Sequence, residues 1–141
     1  SDPSLREKMQ HTFAHLNFGG ANPFSTTAFA AAYQHGGAWL DALMAYLAET
    51  RDEITATLAR AAPVIRVVPA QGTYLLWLDC RALGLDDEAL KRFFVREARV
   101  GMSPGALFGQ GGEGYMRLNL GAPRSVIREA TQRIVTAVNA R

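Results

Sequence analysis

Tyr115-Met116-Arg117-Leu118-Asn119-Leu120 reads as a strand with an arginine at the centre of its only polar face. At a side-chain period of two, Met116, Leu118 and Leu120 fall on one side, and Tyr115, Arg117 and Asn119 on the other. The first face demands a hydrophobic core, so the strand belongs to a sheet with at least one covered side. The second face holds a guanidinium on a rigid element, with an aromatic ring two residues before it and an amide two after. Such a group can grip a carboxylate through two parallel charge-assisted hydrogen bonds. The same pattern also suits an ordinary ion pair or a solvated outer face.

Just upstream, Gly109-Gln110-Gly111-Gly112-Glu113-Gly114 satisfies the G-x-G-x-x-G spacing of a dinucleotide site. In that site a phosphate rests on the amino end of a helix that directly follows a strand. Here the glycines lead into a strand, so the order of elements is wrong and the dinucleotide reading is rejected. They are expected to form a flexible turn that delivers the Arg117 strand. Ser103-Pro104-Gly105 and Phe108 make the loop before it.

Further out, Gly72-Thr73-Tyr74-Leu75-Leu76-Trp77-Leu78-Asp79 is apolar on both faces and predicts a central strand, with Tyr74 and Trp77 assigned to the core. Val64 to Val68, between Pro63 and Pro69, predicts a short strand. A helix is expected from Asp86 to Ala98, capped by Asp86, with Leu85 and Leu90 as a hydrophobic staple and Leu90, Phe93 and Phe94 buried. A short extended piece follows near Val100. Pro123 opens a last helix reaching about Asn139, with Ile127, Ala130, Ile134 and Val138 on one side. Arg124, beside Pro123, is read as a helix-end ion pair. Helices gathered on one face of a small, mainly antiparallel sheet make a two-layer α+β sandwich.

Before this unit, Leu40, Leu43, Met44, Leu47, Ile54 and Leu58 recur at helical spacing from Ala38 to about Ala61. At 1.5 Å per residue that helix would be roughly 35 Å long, enough to span two domains. A short helix is expected from Asp2 to His15, with Ser4 or Asp2 as cap and Leu5, Met9, Phe13 and Leu16 on one face. A second should start after Ser25 or Thr26 and run to about Gln34. Residues 1–36 fit the sandwich poorly, and their apolar faces require either a larger missing domain or a second copy of the chain.

The 141 residues are 48% apolar, which suffices for a real core and excludes disorder by composition. Net charge is +2, with basic and acidic residues interspersed, so nucleic acid is not the expected partner. Cys80 is the only cysteine, which rules out an internal disulfide and points to a reducing, cytoplasmic setting. His11 and His15 lack the intervening glutamate of a zinc-protease helix and are read as surface histidines, so no metal is expected. No apolar run approaches the ~18 residues of a membrane helix, and the charged amino end is not a signal peptide. The chain begins with Ser rather than Met, as expected of a piece of something longer.

Trp39-Leu40-Asp41, Gly72-Thr73-Tyr74-Leu75-Leu76-Trp77, Ser103-Pro104-Gly105, Phe108-Gly109, Met116-Arg117-Leu118-Asn119 and Pro123-Arg124, in this order, resemble the carboxy-terminal third of a known enzyme group. It is the MalY/PatB type of pyridoxal-phosphate-dependent cystathionine β-lyases, carbon–sulfur lyases of the class I/II aminotransferase superfamily, fold type I. The resemblance implies an aminotransferase small domain at 62–141, a connecting helix at 37–61 and the end of a large cofactor-binding domain at 1–36. It implies that Arg117 binds the α-carboxylate of an amino-acid substrate, with Asn119 and Tyr115 beside it and Phe108 lining the entrance.

The implied reaction is β-elimination of a carbon–sulfur bond, giving pyruvate, ammonia and a thiol. An aminotransferase of the same superfamily is one alternative. A non-catalytic carboxylate-binding or oligomerisation module is another. The parent is expected to be a homodimer that uses pyridoxal 5′-phosphate. Its cofactor-bearing lysine is missing here, since Lys8 and Lys91 are the only lysines and neither has the family's setting. No catalytic or cofactor-binding residue is therefore expected in this chain, and alone it should be inactive. Asn22-Pro23-Phe24-Ser25 matches the region that, in similar enzymes, leaves the large domain toward the partner subunit.

Overall fold

The computed structural model describes residues 2–16, 22 and 24–141. Its backbone divides into two compact units, Ser1–Asp41 and Ala42–Arg141. The expected connection at 17–23 lies almost wholly outside the described residues.

In the first unit, α1 (Pro3–His15) starts from Asp2, whose carboxylate accepts the Ser4 N–H at 2.9 Å. Asp2 is thus the cap that leaves Pro3 at the first helical position, where its missing N–H costs nothing. Helix α2 covers Ser25–His35. The apolar side chains Leu5, Met9 and Phe13 of the first helix with Leu16 at its end, and Phe29 and Tyr33 of the second with Phe24 at its start, are all exposed.

Helix α3 (Gly37–Ala61) is 25 residues long and contributes Leu47, Ile54 and Leu58 to the core of the second unit. The sheet there has four strands: β1 (Arg66–Val68), β2 (Leu75–Asp79), β3 (Ser103–Pro104) and β4 (Tyr115–Asn119). Their spatial order is β1-β2-β4-β3, with every pairing antiparallel. One face presents Leu76, Leu78, Met116 and Leu118 to a core closed by α3, by α4 (Asp87–Arg92) and its extension, and by α5 (Arg124–Asn139). Burying such side chains contributes about 1.5–3 kcal/mol each before the entropy of ordering them is counted. The expected α+β architecture is therefore the observed one, with the period-two alternation of β2 and β4 setting which side chains meet the helices.

The expected boundaries shift for identifiable reasons. Gly72-Thr73-Tyr74 is a turn rather than the start of a strand, with Thr73 at φ 60°. Val64 and Ile65 belong to the turn after Pro63, which leaves three residues for β1. Asp86 does cap α4, accepting the Ala89 N–H at 2.7 Å, but the helix widens to a π-turn over Phe93–Glu97. The widened turn carries both adjacent rings, Phe93 and Phe94, into the core, edge to face at 5.2 Å. It closes when the Val100 N–H bonds the Phe94 carbonyl at 2.9 Å, with Arg99 in the left-handed region at φ 54°. The extended piece is consequently at Ser103–Pro104, not at Val100.

The glycine run also has a structural explanation. A methyl group on Gly105 would collide with the Gly112 carbonyl oxygen, and one on Gly112 with the Gly105 carbonyl. The two backbones touch because neither residue has a side chain.

Candidate carboxylate site

Arg117 sits in the middle of β4, directly opposite Trp77 of β2 on one side and Ser103 of β3 on the other. Because paired residues share a face, Val68, Trp77, Arg117 and Ser103 form one row across the sheet on the side away from the core. The neighbouring row is Arg66, Asp79 and Tyr115. Strand alternation thus turns the polar side chains of β4 outward at the positions the sequence indicates.

Arg117 is half-buried. Its Nη2 donates to Ser103 Oγ at 3.3 Å, and its Cζ lies 4.4 Å from the centre of the Phe108 ring. Among the described residues no carboxylate pairs with it. An ordinary internal ion pair is therefore not its role in this chain. A cation held by a hydroxyl and a ring face, both uncharged, keeps its charge available to an external anion.

Phe108 ends the 3₁₀ turn Gly105–Phe108 and is 52% exposed, at the rim of the Arg117 row. Trp77 meets the Phe108 ring edge-on at 5.6 Å and stacks on Tyr115 at 5.6 Å. Arg81 covers the Tyr115 ring at 4.9 Å while binding Asp79 through Nε at 2.9 Å and Nη2 at 2.8 Å. The hydrogen bonds from Arg81 hold the Asp79 carboxyl well below its ordinary range, at about 2, against the opposing effect of burial.

Asn119 is brought to the same face but is already engaged: its side-chain oxygen accepts the Gly121 N–H at 2.7 Å. It lines a separate cavity of about 630 Å³ with Tyr46, Leu47, Tyr74, Leu120 and Pro123, which includes neither Arg117 nor Phe108.

Sequence reasoning placed Tyr74 and Trp77 in the core, and both assignments need correction. Tyr74 is exposed and Trp77 is half-buried on the open face. The signal was present, since Leu76 and Leu78 flank Trp77 at odd spacing and must take the opposite side of the strand. Ser103 was read only as loop, and its contact with Arg117 follows from a two-residue strand too short to announce itself.

Arg124 behaves as expected, pairing with Glu49 at 2.8 Å, and it does more. Its Nε reaches Thr50 Oγ1 at 3.0 Å, its Nη2 the Tyr46 carbonyl at 3.1 Å, and its plane the Tyr46 ring at 4.4 Å. Cys80 is buried and free, its thiol pushed up to about 12 by burial and by the neighbouring Asp79 carboxylate. No group of side chains able to hold a metal exists among the described residues.

A four-stranded antiparallel sheet of this order, with helices on one face and a cation displayed on the other, defines a small α+β domain. Residues 1–134 match the model of aminotransferase class I and II, and the chain belongs to that family. It is 36% identical to cystathionine β-lyase PatB of Bacillus subtilis over 98% of its own length and 36% of that protein's. To protein MalY of Escherichia coli it is 40% identical, over 81% of this chain and 29% of the relative. Among solved structures, cystalysin from Treponema denticola, which contains a pyridoxal 5′-phosphate cofactor, superposes with TM-score 0.80 at 31% identity, over 99% of this chain and 36% of that one. A pyridoxal-phosphate-bound C–S lyase from Staphylococcus hominis gives TM-score 0.80 at 29% identity, over 96% of this chain and 36% of that one. The chain thus spans about a third of the length of the relatives it matches.

The described residues do not by themselves fit pyridoxal phosphate. Lys8 on α1 and Lys91 on α4, the only lysines of the sequence, are both exposed. No chemical step through the cofactor is assigned to them. No helix among the described residues is long and apolar enough to cross a membrane.

Proposed function

We propose that this chain acts as the substrate-carboxylate-binding part of a pyridoxal-phosphate-dependent carbon–sulfur lyase. The parent protein would cleave the β-carbon–sulfur bond of an amino acid to give pyruvate, ammonia and a thiol. Arg117 is the α-carboxylate clamp. The observation that carries this reading is a half-buried arginine whose guanidinium is braced by Ser103 and Phe108 and pairs with no carboxylate among the described residues. Tyr115 stacks on Trp77 in the neighbouring row, Phe108 would border the opening, and Asn119 shapes the adjoining turn.

In the parent, bond breaking is the cofactor's contribution, and these residues hold and orient the substrate. Residues 1–36 would complete the large cofactor-binding domain, 37–61 connect, and 62–141 form the small domain. The exposed apolar side chains of α1 and α2 support a covering surface supplied by the rest of a cytoplasmic homodimer.

Arg117→Lys in the full-length protein is the test, with L-cystathionine as substrate and pyruvate release as readout. Replacing a planar two-pronged donor with a point charge should lower kcat/KM at least tenfold, since charge-assisted bonds contribute about 1.5–3 kcal/mol. An unchanged kcat/KM would refute the clamp. Aminotransferase activity is the second reading, favoured by a match to an aspartate aminotransferase of Pyrococcus horikoshii, 30% identical over 54% of this chain. Pyruvate and ammonia formed without an added keto acid separate the lyase from it.

A further inference from the structure

A guanidinium discriminates between ligands only if its plane is fixed before the ligand arrives. Two side chains outside β4 contact that of Arg117: its Cζ lies over the Phe108 ring, and Ser103 Oγ takes one hydrogen of Nη2. Whichever of the two Nη2 hydrogens goes to Ser103, one of the two in-plane edges keeps its parallel pair of donors. Behind Phe108 an unbroken row of contacts runs through Trp77 and Tyr115 to Arg81, which is anchored on Asp79. The turn bearing Phe108 is pinned in turn by the backbone approach of Gly105 to Gly112.

We propose that Phe108, backed by Trp77, is a positioning residue that sets the plane of the Arg117 guanidinium and so selects an α-carboxylate over a neutral α-carboxamide. This rests on the reading of Arg117 as the carboxylate clamp. A carboxylate satisfies both donors of the free edge, whereas an amide offers one oxygen and sets an NH2 against the second donor. A held plane cannot turn away from that donor–donor clash. A loose one can follow the single oxygen, and selectivity falls.

The test uses the full-length holoprotein with L-alanine, which carries the carboxylate but no leaving group on its β-carbon, and L-alaninamide. Equilibrium affinities are read from the visible absorption of the bound cofactor. Phe108→Leu should lower the alanine-to-alaninamide affinity ratio about fivefold, the loss of one partly exposed cation–ring contact. Phe108→Tyr keeps the ring and should hold the ratio to within about twofold of the unsubstituted protein. Phe108 is half exposed, so its replacement leaves the core intact. A purely structural lesion would weaken both ligands in proportion and leave the ratio unmoved. That result, with the ratio collapsing in Arg117→Lys, overturns the positioning role and spares the clamp. A ratio unmoved in Arg117→Lys as well overturns both.

Discussion

Arg124→Ala should destabilise the 42–141 unit by about 2–3 kcal/mol, more than any surface ion pair could account for. The Arg124 side chain is only 23% exposed and ties the start of α5 to α3 through three polar contacts and one ring. The bond to the fully buried Thr50 hydroxyl is charge-assisted and contributes about 1.5–3 kcal/mol, and the contact over Tyr46 adds about 0.5–1 kcal/mol. Glu49, 69% exposed, adds no more than about 0.5 kcal/mol.

The total falls below a simple sum because the contacts share one group, and because Thr50 still donates to the Tyr46 carbonyl at 2.8 Å once the arginine is gone. Lysine cannot reach Thr50, Tyr46 and Glu49 together, so Arg124→Lys should recover less than half of the loss. Urea unfolding in a Trp39→Phe background, with Trp77 as the sole tryptophan, reports on this unit alone. A loss under about 1 kcal/mol for Arg124→Ala would refute the reasoning. So would a Glu49→Gln variant as damaged as Arg124→Ala, because the stability would then reside in the exposed ion pair.

Gly112→Ala should cost about 1–3 kcal/mol and, in the full-length protein, lower kcat/KM, because the added methyl displaces the turn that carries Phe108. Urea midpoints and kinetics of the same variant check both effects. Arg99→Gly should raise stability by about 0.5–1 kcal/mol, measured by the same unfolding assay, by relieving a left-handed backbone at φ 54° that disfavours a side chain. Asp79 has its folded pKa depressed from 3.8 to about 2, so its contribution is fully present above the unfolded value and disappears as pH falls between these limits. Asp79→Asn should flatten that part of the acid-unfolding curve, and an unaltered slope between pH 4 and 2 would refute the assignment. Cys80 should resist alkylation at neutral pH until the chain unfolds, as followed by mass spectrometry in rising urea.

Helix and strand order, the covered face of β4 and the cap at Asp86 were legible because each rests on a local signal: a period, a breaker or a capping side chain. The candidate site was legible in part. Arg117 stood out because a charge in an alternating strand must face away from the core, and Tyr115 and Asn119 followed from the same register. Trp77 was misread because an aromatic among leucines looks like core when its strand is considered without its partner. Its alternation with Leu76 and Leu78 already sets it on the opposite side, and the antiparallel pairing with Arg117 places it on the open face. Ser103 and the π-turn at Phe93–Glu97 left no local mark, since one depends on a two-residue bridge and the other on how two adjacent rings fit a finished interior. The contact of Gly105 with Gly112 joins residues seven apart in a segment whose spacing imitates an unrelated motif.

Strands β2 and β4 each serve two masters, with Leu76, Leu78, Met116 and Leu118 inward and the Trp77–Arg117 row outward, and none of these residues belongs to both duties. At the proposed site, ligand preference can therefore be engineered at Trp77 and Arg117, while the inward letters of the same ten residues stay untouched.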